Sequence, residues 1–203
     1  MSEEKYKRIE LGKYIVADPH ICHGQPIFRG TRVIVPPVIK SLSGGKTIDE
    51  IAVDYQIPDE AVIEALYLAA EALLEKYAVP FPEPIIPTEE LVKMSHAEYR
   101  ALWPKEKYKR VEISKHIVAD PFICHGKPTA RGTRVLMHIV IKHFSTEETI
   151  DEIASGYQIL RETVVEALNL AAEALLEEYT VPYPELLPTD ELLELNPTDS
   201  RVS

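Results

Sequence analysis

The sequence predicts a mainly α protein: two helix-turn-helix units of three helices each, every unit opening with a short β-hairpin, the two fused into an internal pseudo-dimer. The first observation is a repeat. Ile15-Val-Ala-Asp-Pro-His-Ile-Cys-His-Gly-Gln-Pro-Ile-Phe-Arg-Gly-Thr-Arg-Val33 returns as Ile117-Val-Ala-Asp-Pro-Phe-Ile-Cys-His-Gly-Lys-Pro-Thr-Ala-Arg-Gly-Thr-Arg-Val135, and the match runs on through Thr47-Ile-Asp-Glu-Ile-Ala52 and Thr149-Ile-Asp-Glu-Ile-Ala154. Register breaks only after Glu83 and Glu185, where the first copy carries one extra residue before its Pro-Thr pair. At roughly 90 residues a copy is domain-sized, well above a solenoid module of about 20 to 50. Two copies of a unit that once made a two-fold dimer give, when fused, a pseudo-dimer within one chain. The second observation is that helical periodicity in each copy comes as short, short and long segments joined by tight turns, the order of a helix-turn-helix domain. A plain three-helix bundle fits the same periodicity.

The elements follow in order. Tyr6-Lys-Arg-Ile-Glu-Leu11 alternates polar and apolar residues and predicts a short strand, repeated in Tyr108-Lys-Arg-Val-Glu-Ile113. Asp18-Pro19 starts a turn, because proline fixes φ and biases its predecessor away from helix. Residues 24–35 are too rich in glycine, proline and β-branched side chains for a helix, so a hairpin or extended arm is expected with Arg29-Gly-Thr-Arg32 at its bend. Residues 35–42 fit a short helix with Pro36 and Pro37 in the first turn, where a missing N–H is harmless. Gly44-Gly45 should stop it through a left-handed residue; Thr146-Glu147 stands there in the second copy, so that boundary should be less clean. Thr47-x-x-Glu50 and Thr149-x-x-Glu152 are capping boxes that open the second helix, 48–55 in the first copy. The longest helix, 58–77, places Val62, Ala65, Leu66, Ala69, Ala70, Leu73 and Leu74 at helical spacing, with alanines that admit a close partner helix. Residues 77–84 are proline-rich and extended. A helix capped by Thr88 is expected over 89–102, a counterpart over 189–195, and a disordered tail over 196–203. The resulting division is a first repeat over 1–87, a helical linker over 88–104 and a second repeat over 105–195.

Composition narrows the class. The 203 residues are 45% apolar and 27% charged, which suits a globular protein of one or two domains. No apolar run of about 18 residues exists, so no membrane partner is expected. Met1-Ser-Glu-Glu-Lys-Tyr6 has no apolar core, so a cytoplasmic location is expected. Cys22 and Cys124, one per copy, are too few for a disulfide framework. A net charge of −11 argues against a nucleic-acid coat protein. Its distribution is uneven. The front of the first copy holds Lys5, Lys7, Arg8, Lys13, Arg29, Arg32, Lys40 and Lys46 against Glu10 and Asp18, whereas the charged residues of 49–90 are all acidic but Lys76.

Arg29-Gly-Thr-Arg32 and Arg131-Gly-Thr-Arg134 are the candidate chemistry. Glycine lets backbone approach a ligand, threonine offers a hydroxyl, and paired arginines make forked bonds to phosphate or carboxylate. The same residues also suit a purely structural turn, with the arginines bonded to Asp18 or Asp120 and to carbonyls. His20, Cys22 and His23 resemble a metal cluster, but Phe122 replaces the first histidine in the second copy and adjacent Cys-His suits one ion poorly. No metal or cofactor is expected, and the thiols are expected to be packed. Without a nucleophile elbow, P-loop, dinucleotide fingerprint or His-Glu-x-x-His, no enzyme is expected.

The pattern Asp-Pro-x-Ile-Cys-x-Gly-x-Pro-x-x-Arg-Gly-Thr-Arg-Val, with the following Thr-Ile-Asp-Glu-Ile-Ala and Glu-Ala-Leu-x-Leu-Ala-Ala, resembles the domain-of-unknown-function family numbered four hundred and thirty-three, over residues 15–74 and 117–176. The resemblance implies a homeodomain-type helix-turn-helix with an N-terminal β-hairpin, usually one copy per chain. It also implies an antitoxin resembling the VapB class, encoded beside a PIN-like nuclease. His23 and His125 stand where the family has a second glycine, and Leu160-Arg161 replaces Pro58-Asp59. Two functions follow as expectations. One is a DNA-binding regulator or antitoxin whose paired modules read half-sites of operator DNA about one turn apart. Lys7, Arg8, Arg29, Thr31 and Arg32, with Lys109, Arg110, Arg131, Thr133 and Arg134, would carry the binding. Asp59, Glu60 and Glu64, at the start of the would-be recognition helix, oppose this by repelling phosphate. The alternative is a protein-interaction module that neutralises or scaffolds a PIN-like toxin without touching DNA.

Overall fold

A computed structural model describes residues 6–82, 88–104, 107–146 and 148–183. Each copy opens with a three-stranded antiparallel sheet: β1 (Ile9–Glu10), β2 (Ile15–Ala17) and β3 (Pro26–Phe28), then β4 (Val111–Glu112), β5 (Ile117–Ala119) and β6 (Pro128–Ala130), each in sequential order. The first strand lies where alternation predicts it. The central strand was not anticipated: Ile15, Val16 and Ala17 are all buried, and so short an apolar run carries no period to read. Register sets Ile15 opposite Phe28 and Val16 opposite Ile27. Beyond β3 the chain turns at Arg29-Gly-Thr31 and returns to bridge Ile34 to Ile27, so the arginine motif does sit at a bend.

The helices are α1 (Val35–Ser43), α2 (Ile48–Tyr55), α3 (Asp59–Tyr77), α4 (Thr88–Leu91), α5 (His96–Ala101), α6 (Met137–His143), α7 (Ile150–Gly156) and α8 (Arg161–Tyr179). Both capping boxes form: the Thr47 and Thr149 amides donate to Glu50 and Glu152 at 2.9 and 2.8 Å, and each threonine hydroxyl accepts the return bond. Gly45 ends the α1 region at φ 89°, whereas α6 runs on into a single 3-10 turn, Phe144–Thr146. Leu160 replaces the proline before α8 without moving its start. Arg161 there pairs with Asp151 at 3.1 Å and donates to the Ser43 carbonyl of the other copy at 3.2 Å. The linker differs from the single helix expected over 89–102. Ser95, extended at ψ 157°, caps a new helix with Glu98 and so splits the segment into α4 and α5. The helix expected over 189–195 and the tail over 196–203 lie outside the described residues.

One apolar core runs through both copies. The long helices α3 and α8 pack on each other, α1 packs on α8 more extensively than on α3, and α6 packs more extensively on α3 than on α8. Each first helix therefore completes its core chiefly against the other copy. The buried face of α3 holds Ala61, Val62, Ala65, Leu66, Ala69, Ala70, Ala72 and Leu73, and small side chains let two neighbours approach it. Each buried Leu, Val or Ile contributes about 1.5–3 kcal/mol, so this shared interior dominates stability. Beyond the long helices, residues 78–82 and 180–183 run as extended arms that cross between copies. Val79 donates its amide to the Gly126 carbonyl and Val181 donates to that of Gly24, both at 2.9 Å. Among the described residues no helix is long and apolar enough to cross a membrane.

Candidate functional site

The Arg-Gly-Thr-Arg bend is built by backbone first. Phe28 donates its amide to the Val33 carbonyl at 3.0 Å, and Gly30 takes φ +76°, a conformation that disfavours any Cβ. Thr31 locks the turn: its hydroxyl donates to the Phe28 carbonyl at 2.8 Å and accepts from the Val33 amide at 3.0 Å. Thr133 does the same with Ala130 and Val135 at 2.9 and 3.0 Å. Both threonine hydroxyls are thus engaged within the chain.

The two arginines of each motif separate in role. Arg29 donates from Nε to the Lys13 carbonyl at 2.8 Å, from Nη2 to the Gly12 carbonyl at 2.9 Å, and pairs with Glu10. Arg131 repeats this with the Lys115 and Ser114 carbonyls at 2.8 and 3.1 Å and with Glu112. The Arg29 guanidinium holds the Glu10 carboxyl below the usual carboxylate range, and Arg131 does so for Glu112. The structural partners anticipated from sequence were Asp18 and Asp120. The structure places Glu10 and Glu112 there instead, because the β1–β2 and β4–β5 loops lie against the bend. Arg8 and Arg110 join the same carboxylates at 3.0 and 2.8 Å. Arg32 and Arg134 are exposed and, among the described residues, have no side-chain partner; Lys7 and Lys109 are likewise exposed. Of the ten candidates, these four are the cations left open to a ligand.

Asp18 and Asp120 shape the preceding turn, accepting at 2.9 Å from the amides of His20 and Phe122. Asp120 is buried and also binds Arg100 of α5 at 2.6 Å. Cys22, His23 and Gly24 then adopt three successive positive φ values, as do Cys124, His125 and Gly126. This left-handed turn presents a carbonyl to the arm of the other copy. The Cys22 thiol donates to the Arg32 carbonyl at 3.5 Å, and the His23 ring stands edge-on to Tyr183. Cys22 and Cys124 are free. Among the described residues no three His, Cys, Asp or Glu side chains come together as a metal-holding group.

Glu64, read from the sequence as a charge that repels phosphate, is engaged within the chain, and so is its equivalent Glu166. Glu64 accepts from the amides of Lys13, Tyr14 and Ile15 at 3.0, 2.9 and 3.1 Å, stapling the β1–β2 loop to α3. Glu166 holds the second copy's loop through the His116 amide at 3.0 Å, the His116 ring at 2.9 Å and the Ser114 hydroxyl. Burial pushes the Glu166 carboxyl up, but these bonds outweigh it and hold it below the usual range. Glu64 is therefore a tie rather than a charge facing solvent. The exposed sides of α2 and α3 do carry carboxylates, including Asp49, Asp54, Glu60, Glu71 and Glu75. Lys46 pairs with Asp54, and Lys142 of the other copy lies 3.5 Å from Glu71.

The family model described as a protein of unknown function, DUF433, matches twice, over residues 15–69 and 117–171, together more than half of the chain. Each match begins at the central strand and takes in the last two strands of the sheet, the arginine bend, the first two helices and most of the long helix; β1 and β4 lie before it. No curated protein and no solved structure matches the chain significantly.

Proposed function

We propose that this chain, which belongs to the DUF433 family as a tandem of two of its domains, is a non-enzymatic protein-binding module whose carboxylate-bearing helix faces engage a cationic protein. One observation carries the reading. Arg29 and Arg131, the cations best suited to grip phosphate, are engaged by Glu10, Glu112 and backbone carbonyls, while the helix faces left to solvent are acidic. Complementary charge speeds encounter and selects the partner. A PIN-like nuclease, which must present a basic surface to RNA, has that chemistry, in keeping with the resemblance to VapB-class antitoxins. A second reading is favoured by Arg32, Arg134, Lys7 and Lys109, which offer two equivalent pairs of open cations for the phosphates of operator DNA.

The test is co-expression with the product of the adjacent gene, followed by calorimetry across a salt series. The proposed function expects a complex that weakens with salt and is weakened about tenfold or more by Glu60→Lys with Glu162→Lys, two exposed acids at equivalent places. Binding instead to upstream duplex DNA alone, lost in Arg32→Ala with Arg134→Ala, moves the assignment to operator recognition. No complex with either partner sinks both.

A further inference from the structure

We propose that a cleft beside the Pro121–His125 turn of the second copy binds a small aromatic carboxylate. Three segments from different parts of the chain meet there: the arm of the first copy with Phe81 and Pro82, Tyr99 of α5, and the turn from Pro121 to His125, with Arg134 at the rim. The cleft measures about 460 Å3, within the range of small-molecule sites. Four aromatic rings, Phe81, Tyr99, Phe122 and His125, line it beside polar surface. Phe81 stands perpendicular to His125 at 5.0 Å, and Tyr99 stands perpendicular to Phe122 at 6.0 Å. A planar ring fits between such surfaces, since aromatic groups favour offset and edge contacts.

The charge inside decides the rest. Arg134 is the cation lining the cleft, and its guanidinium has no partner among the described residues. Its main chain is held in place, because the Cys124 thiol donates to its carbonyl at 3.5 Å. A single guanidinium fork matches a carboxylate through two parallel bonds. Among the described residues lining the cleft, a phosphate dianion would find no second lysine or arginine. One such cleft per chain is expected. The first copy has His20 where Phe122 stands, and α5, which supplies Tyr99, packs on the second copy's Asp120 and Phe122.

The probe is 2-naphthoate, titrated calorimetrically into the full chain and followed by amide shifts in 15N spectra, with 2-naphthylmethanol as the neutral isostere. Expected are one saturable site and shifts centred on Phe122, His125 and Arg134. Affinity should fall about tenfold or more for the alcohol and for Arg134→Gln, the loss of one charge-assisted bond pair. Arg32→Gln should leave it unchanged. Phe122→His, which installs the first copy's residue, should weaken binding severalfold while the spectrum stays folded. The proposal is overturned by any of three results: no saturation below about 10 mM, the weak end of specific affinity; equal affinity for Arg134→Gln or for the alcohol; or shifts clustering around Arg32.

Discussion

Replacing Gly24 with alanine should detach the arm that the second copy lays across the first. An added Cβ would stand 2.1 Å from the Val181 carbonyl oxygen and 3.1 Å from its carbon, and the residue holds φ +73°. The left-handed conformation alone costs an L-residue about 1–2 kcal/mol. The backbone oxygen cannot rotate away as a side chain would, so the arm itself must leave. That forfeits the bond from Val181 to the Gly24 carbonyl, about 0.5–1.5 kcal/mol, and exposes the buried Val181, about 1.5–3 kcal/mol. The smaller entropy of the unfolded alanine chain returns about 0.4–1 kcal/mol. A net loss of about 2–6 kcal/mol is expected. Gly30→Ala is the control, because it shares φ +76° but meets nothing within 4 Å. It should cost about 1 kcal/mol, the conformational part alone. Urea unfolding of the two variants, with amide exchange read at Val181, separates the parts. Equal losses in both, with Val181 protection unchanged in Gly24→Ala, would refute the docking argument.

Three further outcomes are expected. Glu64→Ala removes the acceptor of three amides and should cost about 1–3 kcal/mol in thermal unfolding, with exchange accelerated at Tyr14 and Ile15 and unaltered in the second copy's sheet. The Glu166 carboxyl titrates lower in the folded chain than in the unfolded one, so its contribution is present above the unfolded value and lost as pH falls through the folded value; Glu166→Gln should flatten stability against pH in that acid window. His138 has the opposite chemistry. Burial first, then Lys127 and Lys142, hold its folded value below 6.5, so stability is full above that pH and declines as pH falls beneath it. Its buried Nδ1 has no partner among the described residues, and the first copy has Pro36 at this place. His138→Pro should therefore remove the slope and leave stability at neutral pH unchanged or higher by about 1 kcal/mol, read from unfolding curves at pH 5 and 7.5.

The helices of the two repeats were legible because their signals are local, whereas the break in the linker at Ser95 was missed. Capping boxes fix α2 and α7 within one turn, and period alone places α3. The sheet was half legible, since β1 alternates but the central Ile15-Val-Ala17 does not. What binds whom was not legible. A buried face on α1 reads the same whether α3 or α8 covers it, so sequence announces two copies without announcing that they interleave. In the arginine bend, a glutamate 19 residues before Arg29 takes the guanidinium, and nothing in the spacing distinguishes it from Asp18. The left-handed Cys22 had no signal, since cysteine does not favour positive φ, whereas His23, a residue type enriched there and standing where the family has a glycine, carried a weak one. Gly24 and Gly126, one in each copy, were a usable clue to a close approach that only the arm's position explains.

Interleaving also frees the halves to drift apart. A homodimer must tolerate every change twice, once on each side of its axis. Here α1 rests on α8 and α6 on α3, so a substitution in one repeat meets a neighbour encoded elsewhere and free to change separately. His20 and Phe122, Pro36 and His138, and Ser41 bonded to Tyr55 where His143 is bonded to Tyr157 are such divergences already in place.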